Sequence, residues 1–119
     1  MLAVGTDLVR VSRFHDRGEA FLHRCFTPAE IELCAGQAQR LAGRWAAKEA
    51  VLKALGVGIG EVPLTDIEVT RAASGAPVLS LSGAAQTAAG DLTRWHLSLS
   101  HDGDYAVAFV VATDQRDAT

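Results

Sequence analysis

The segment RWAAKEAVLKALG, residues 44–56, decides how this chain is read. At about 100° of rotation per residue it extends back to Leu41 as one amphipathic helix, 41–55, with Gly56 as its C-terminal cap. With Leu41 set at zero, Leu52 falls at about 20°, Trp45 at about 40°, Leu55 at about −40° and Val51 at about −80°, which defines the core-facing stripe. Lys48 falls at about −20°, in the middle of that stripe, and Arg44 flanks it at about −60°. Glu49 stands at the stripe's edge, about 80°, with Lys53 beside it at about 120°. Both lysines of the chain are here, while every other basic residue is arginine.

Two readings of this cluster stand side by side. Glu49 and Lys53 are four residues apart in the favourable order, a pair worth only ~0.2–0.5 kcal/mol on a surface helix, and Lys48 could run its stem over apolar surface and lift its amine into water. Alternatively, cations gathered around one carboxylate suit an anionic ligand and its metal, since a buried charge costs several kcal/mol unless paired. Lysine, a compact and flexible point charge, suits a phosphate that moves during a reaction. The helix runs into GVGIG, where Gly56, Gly58 and Gly60 carry no side chain to keep backbone N–H groups from a bulky ligand. This is not a P-loop, because the lysines precede the glycines and no G-x-x-x-x-G-K-[ST] occurs. Asp7, at a strand end, is either a metal ligand or a turn former. His101, in a loop, is either a phosphate donor or a solvated side chain.

Working outward, LAVGTDLV (2–9) reads as a buried strand finishing on Asp7, and 12–26 has helical spacing with Gly18 as a possible break. Thr27-Pro28-Ala29-Glu30 is a capping-box start for a helix to Cys34 that ends at Gly36, followed by the polar connection QAQR. LTDIEVTR and PVLSLS alternate as half-buried strands, and GAAQTAAG gives a short helix, 83–89. WHLSLS and YAVAFVV form a hairpin across the four residues His101 to Asp104. The expected architecture is a single α+β domain over 1–119, a small antiparallel sheet with packed helices and one helix inserted.

Composition narrows the function. The chain of 119 residues is 49% hydrophobic and 21% charged, as soluble domains are. The longest uncharged apolar run, YAVAFVVA, is far short of the ~20 residues of a membrane span. MLAVGTDLVR lacks a basic n-region and a long h-region, so no signal peptide is expected. Cys25 and Cys34 have no metal-ligand spacing and read as buried reduced thiols, hence a cytoplasmic protein. The net charge of −3 argues against nucleic-acid binding. Residues 10–54 nevertheless hold eight basic and five acidic side chains, against three and eight over 61–119, so the N-terminal half is locally basic.

The blocks GTDLV (5–9), FTPAE (26–30), LAGRWAAKEAVLKALGVGIG (41–60), DIEV (66–69), SGAPVLSLSG (74–83) and WHLSLSHDGDYAVAFVV (95–111) resemble the holo-[acyl-carrier-protein] synthase family, the small bacterial 4′-phosphopantetheinyl transferases. The resemblance spans nearly the whole chain. It implies the 4′-phosphopantetheinyl transferase fold and Mg²⁺-dependent transfer of phosphopantetheine from coenzyme A to a serine of an acidic apo-acyl carrier protein, leaving adenosine 3′,5′-bisphosphate. It implies Asp7 and Glu49 as Mg²⁺ ligands and catalytic residues, and Lys53 as the stabiliser of phosphate charge. Either Glu49 or a metal-bound water would take the serine proton. Arg44, Lys48, Lys53, Gly56, Gly58, Gly60 and His101 become coenzyme A contacts, though Lys48 could instead orient Glu49 or a neighbouring subunit. Arg13, Arg17 and Arg24, on the first helix, become the carrier-docking face, and the assembly a homotrimer with active sites between subunits. A silent relative that only binds coenzyme A or a carrier is the alternative, and a coenzyme A hydrolase a more distant one. The chain departs from the family pattern at Arg10, where an acidic residue is common, at Ala76, where a cation often stands, and in a shortened segment before Leu41.

Overall fold

The computed structural model describes residues 1–114. In chain order its elements are β1 (Leu2–Arg10), a 3₁₀ turn (Val11–Phe14), α1 (Glu19–Cys25), α2 (Pro28–Cys34), α3 (Ala38–Leu55), a second 3₁₀ turn (Leu64–Asp66), β2 (Ile67–Arg71), β3 (Pro77–Leu81), α4 (Gly83–Ala89), β4 (Leu92–Asp102) and β5 (Tyr105–Asp114). The architecture is α+β, as expected, but the strands form two antiparallel sheets rather than one: β1-β5-β4, and a separate β2-β3 pair. Between β3 and β4 the chain turns into α4, whose first amides, Ala84 and Ala85 N–H, donate to the Asp66 carboxylate.

Small side chains let α3 lie close on the three-stranded sheet. Ala106, Ala108 and Val110 on the inner face of β5 share one core with Ala42, Ala46, Ala47 and Ala50 of α3, and all are fully buried. The tightest point is Gly5 of β1. A Cβ there would stand 1.8 Å from the Ala50 carbonyl oxygen, a distance no side chain tolerates. Because strand residues alternate faces, the approach that Gly5 permits also turns Asp7, two residues on, toward α3.

β1 is not the fully buried strand expected. It is an edge strand covered on one face only, and Leu2, Val4 and Leu8 stay exposed on the other. Val4 pairs with Val111, Thr6 with Phe109 and Leu8 with Val107, so these residues make one outward apolar band; Leu8 is 63% and Phe109 48% exposed.

The capping box of α2 forms as read: Thr27 Oγ1 accepts from Glu30 N–H at 3.2 Å, and Glu30 Oε1 accepts from Thr27 N–H at 2.9 Å. α3 starts about one turn earlier than expected, so QAQR is mostly helix, and the Arg40 guanidinium reaches back to the Leu33 carbonyl. The predicted helix 12–26 breaks where Gly18 allowed: Asp16 takes φ 57°, and Gly18 becomes the N-cap of α1. Arg13 therefore sits on a 3₁₀ turn and Arg17 on the link, with only Arg24 on the helix proper. The hairpin is tighter than four residues, because Asp102 pairs with Tyr105 across a two-residue turn led by Gly103 at φ 56°. His101 is thus a strand residue, paired with Ala106. No helix among the described residues is long and apolar enough to cross a membrane.

Candidate active site

Asp7 on β1 and the last two turns of α3 meet where Gly5 has removed the spacing. Lys53 Nζ donates to the Thr6 carbonyl at 2.9 Å and to Asp7 Oδ1 at 3.2 Å. It turns to β1 rather than to Glu49, its i−4 neighbour. Two of its three ammonium protons are engaged and one remains for a ligand. Glu49 Oε1 is buried and has no hydrogen-bond partner, the one such side-chain atom among the described residues. Burial pushes the Glu49 carboxyl above the usual carboxylate range and the negative charge of Asp7 adds to it; Lys53 and Arg13 pull the other way. A partnerless buried carboxylate oxygen beside a second carboxylate is expensive unless something cationic occupies the space between them.

No group of three or more His, Cys, Asp or Glu side chains that could hold a metal occurs among the described residues. The donor set is two carboxylates, with Lys53 at the rim. That fits Mg²⁺, which is commonly held by one or two carboxylates and completes its shell with waters and substrate phosphates.

Lys48 has a different fate and corrects its reading as a ligand contact. Its side chain is fully buried and donates to Glu30 Oε1 at 2.7 Å, to the Leu64 carbonyl at 2.9 Å and to the Ile67 carbonyl. Three donors meet three acceptors, so none is left for a ligand. Glu30 is equally occupied: Oε1 also accepts from Thr27 N–H, and Oε2 from Val69 N–H at 2.8 Å. Burial pulls the Lys48 ammonium below the usual lysine range, and Glu30 opposes that. This pair fastens α2 and β2 to α3. Sequence reading found the buried lysine and the capping glutamate but not that they are partners.

The glycine loop is also partly spoken for. Gly56, at φ 74°, gives its N–H to the end of α3, and the Gly58 N–H donates to Glu61 Oε1 at 3.0 Å. Those two amides are not open to a phosphate. Gly60 takes φ 96°, a conformation that favours glycine.

Arg44 and His101 do come together. They line a cavity of about 390 Å³ with Arg40, Gly43, Arg71 and Leu99. The Arg44 guanidinium donates to the Val69 carbonyl at 3.0 Å and to the Arg40 carbonyl at 3.3 Å, which fixes its plane. Arg40 and Arg71 were not singled out from the sequence, since neither lies in a motif. This basic cavity and the carboxylate cluster lie on opposite flanks of α3, because Arg44 and Lys53 are about 180° apart around it.

Near the carboxylates, Arg13 stacks over Trp45 at 5.8 Å and Arg17 over Phe21 at 4.7 Å. Phe14, Phe21 and Trp45 pack on one another. Arg24 is exposed on α1.

The model of the 4′-phosphopantetheinyl transferase superfamily matches residues 3–110. Holo-[acyl-carrier-protein] synthase of Herpetosiphon aurantiacus is 47% identical, over 93% of this chain and 98% of its own. The synthase of Gloeobacter violaceus is also 47% identical, over 90% of this chain and 89% of its own. Among solved structures, the ACPS–CoA complex of Chronobacterium ammoniagenes superposes with a TM-score of 0.83 at 32% identity, covering 98% of this chain and 99% of that one. The Helicobacter pylori synthase in complex with coenzyme A gives a TM-score of 0.83 at 35% identity, covering 92% and 99%. By sequence and by fold alike, the chain is an enzyme of the 4′-phosphopantetheinyl transferase superfamily and belongs to its holo-[acyl-carrier-protein] synthase family.

Proposed function

We propose that this enzyme transfers the 4′-phosphopantetheine arm of coenzyme A to a serine hydroxyl of an acidic apo-acyl carrier protein, in a Mg²⁺-dependent reaction that leaves adenosine 3′,5′-bisphosphate. The observation that carries the reading is the partnerless Glu49 Oε1 facing the Asp7–Lys53 pair. Asp7 and Glu49 would hold the ion. An ion held there would supply charge neutralisation at the diphosphate and Lewis-acid polarisation of the phosphorus. Lys53 aims its remaining proton at the phosphate charge that builds as the bridging oxygen leaves. The serine oxygen forms the new bond to phosphorus, and the bond to the departing nucleotide's phosphate breaks. Of the two carboxylates, Glu49 is the better acceptor for the serine proton, since Asp7 Oδ1 is already engaged by Lys53.

The cavity beside Arg44, with Arg40, Arg71 and His101, has the charge to receive phosphate groups of coenzyme A. Its separation from the carboxylates favours a homotrimer in which one subunit's carboxylates face a neighbour's basic cavity. The exposed apolar band of β1 and β5 supplies a surface for that assembly. Light scattering should then give three times the 12.5 kDa chain mass, and a monomer at working concentration would reject the assembly. Arg13 and Arg17, preset by their aromatic partners, form with Arg24 the face offered to an acidic carrier. Two buried free thiols, Cys25 and Cys34, suit a reducing cytoplasm.

The direct test is mass spectrometry of an apo-acyl carrier protein incubated with coenzyme A, Mg²⁺ and the enzyme. The carrier should gain one phosphopantetheine arm, and no gain should occur with chelator. Binding of coenzyme A or carrier without any mass gain would instead make the protein a silent relative.

A further inference from the structure

The turn that carries Arg13 has no cap of its own. Val11–Phe14 is a four-residue 3₁₀ turn, and Arg10, which precedes it, offers no side-chain hydrogen bond. Short 3₁₀ pieces with unsatisfied leading amides are weak unless another segment supplies acceptors. Here that segment is the tip of the β4–β5 hairpin, 92 residues away in sequence. Asp104 accepts from Val11 N–H through its backbone oxygen at 2.8 Å, from Ser12 N–H through Oδ1 at 2.9 Å and from Ser12 Oγ–H through Oδ2 at 2.8 Å. Beside it, Arg10 stacks over Tyr105 at 5.1 Å. Residues 10, 11 and 12 are thus tied in succession to 104 and 105. The next residue is Arg13, and Arg17 Nε donates to the Arg13 carbonyl at 2.6 Å, so both arginines hang from the same fastened turn.

We propose that Asp104 is a positioning residue for carrier docking: its clamp on Val11 and Ser12 holds the turn that presents Arg13 and Arg17. The proposal rests on the reading of those arginines as the carrier face. Asp104 touches neither the carboxylate cluster nor Arg44. Loss of its carboxylate removes both bonds to Ser12 and leaves only the backbone bond from Val11 N–H, so the turn loosens and a carrier meets arginines spread over more orientations. The cost therefore falls on carrier recognition.

The test measures KM for an apo-acyl carrier protein and for coenzyme A in Asp104→Ala, Arg13→Glu and the double variant, with melting curves for each. Asp104→Ala should raise carrier KM about threefold to tenfold, the scale of an exposed hydrogen bond or two to a carboxylate, and leave KM for coenzyme A and kcat unchanged. Asp104→Asn, which keeps an oxygen facing the Ser12 amide, should recover most of the loss. In the Arg13→Glu background Asp104→Ala should raise carrier KM by a smaller factor than in the wild type, since only the part that acts through Arg17 remains. If Arg13→Glu raises carrier KM and Asp104→Ala does not, or if the two effects simply multiply, the clamp is overturned and the docking face stands. An unchanged carrier KM in Arg13→Glu overturns the docking face, and the clamp with it. Should Asp104→Ala fail to fold, Ser12→Ala, which removes only the hydroxyl arm, must show the same selective rise at smaller size or the proposal fails.

Discussion

Two lysines five residues apart on α3 each meet a carboxylate from a distant segment, and the outcomes are opposite. Lys48 and Glu30 are both 0% exposed, all three ammonium protons of Lys48 are matched, and both carboxylate oxygens of Glu30 are hydrogen-bonded. Lys53 is 56% and Asp7 17% exposed, one ammonium proton is spare, and the neighbouring Glu49 Oε1 has no partner. A closed pair has nothing left to give a ligand, so its whole effect is on the fold. An open pair beside an unsatisfied carboxylate is poorly arranged as structure and well arranged to receive a cation and a phosphate. Completeness of hydrogen bonding separates the two roles, where charge and position on one helix do not.

Removing the lysine from each pair should therefore damage different quantities. Lys48→Met leaves the Glu30 carboxylate buried without its counter-ion, which typically costs about 3–5 kcal/mol, read as a fall in the denaturant midpoint. Glu30→Gln combined with Lys48→Met removes the stranded charge and should be more stable than Lys48→Met alone. Lys53→Met should lose roughly 10²–10³-fold in kcat, the scale of removing one donor aimed at developing charge, with little change in midpoint. If Lys48→Met kept its midpoint and lost only activity, the division between the two pairs would be wrong.

The parts of this division that sequence reveals are those set by local periodicity. Helical spacing alone puts Lys48 on the buried stripe, and Thr27-Pro28-Ala29-Glu30 announces its capping box. That the same Glu30 also closes on Lys48 depends on how α2 crosses α3, a non-local fact that no spacing encodes. The family resemblance proposes Asp7 and Glu49 as site residues, but the reason they come together is Gly5, whose missing Cβ brings Ala50 and β1 together. The turn-forming residues that follow His101 predict a loop there, whereas the register with Ala106 extends β4 through it. Pairing across the hairpin overrode local propensity. The basic cavity assembles Arg40, Arg44 and Arg71 from two elements; Arg44 lies in the family-like block of α3, but Arg40 and Arg71 carry no sequence signature of their own.

The smallest effect tests the open side most directly. Burial and the charge of Asp7 raise the proton affinity of Glu49 in the fold above its value in the unfolded chain. Above both pKa values the ionised carboxylate weakens the metal-free fold, and on acidification the fold takes up this proton first, recovering that loss. Below both, Glu49 is neutral in either state and contributes nothing. Glu49→Gln in chelator should therefore melt higher than the wild type at pH 7, by a few degrees at most given its partial solvent screening, and the difference should vanish below the ordinary glutamate range. Adding Mg²⁺ should raise the wild-type melting temperature and leave Glu49→Gln unmoved, because a cation that binds only the folded state stabilises it in proportion to its affinity. A variant that melts lower than wild type at pH 7 would mean that Glu49 has a partner in the metal-free fold, and that both lysine pairs are closed.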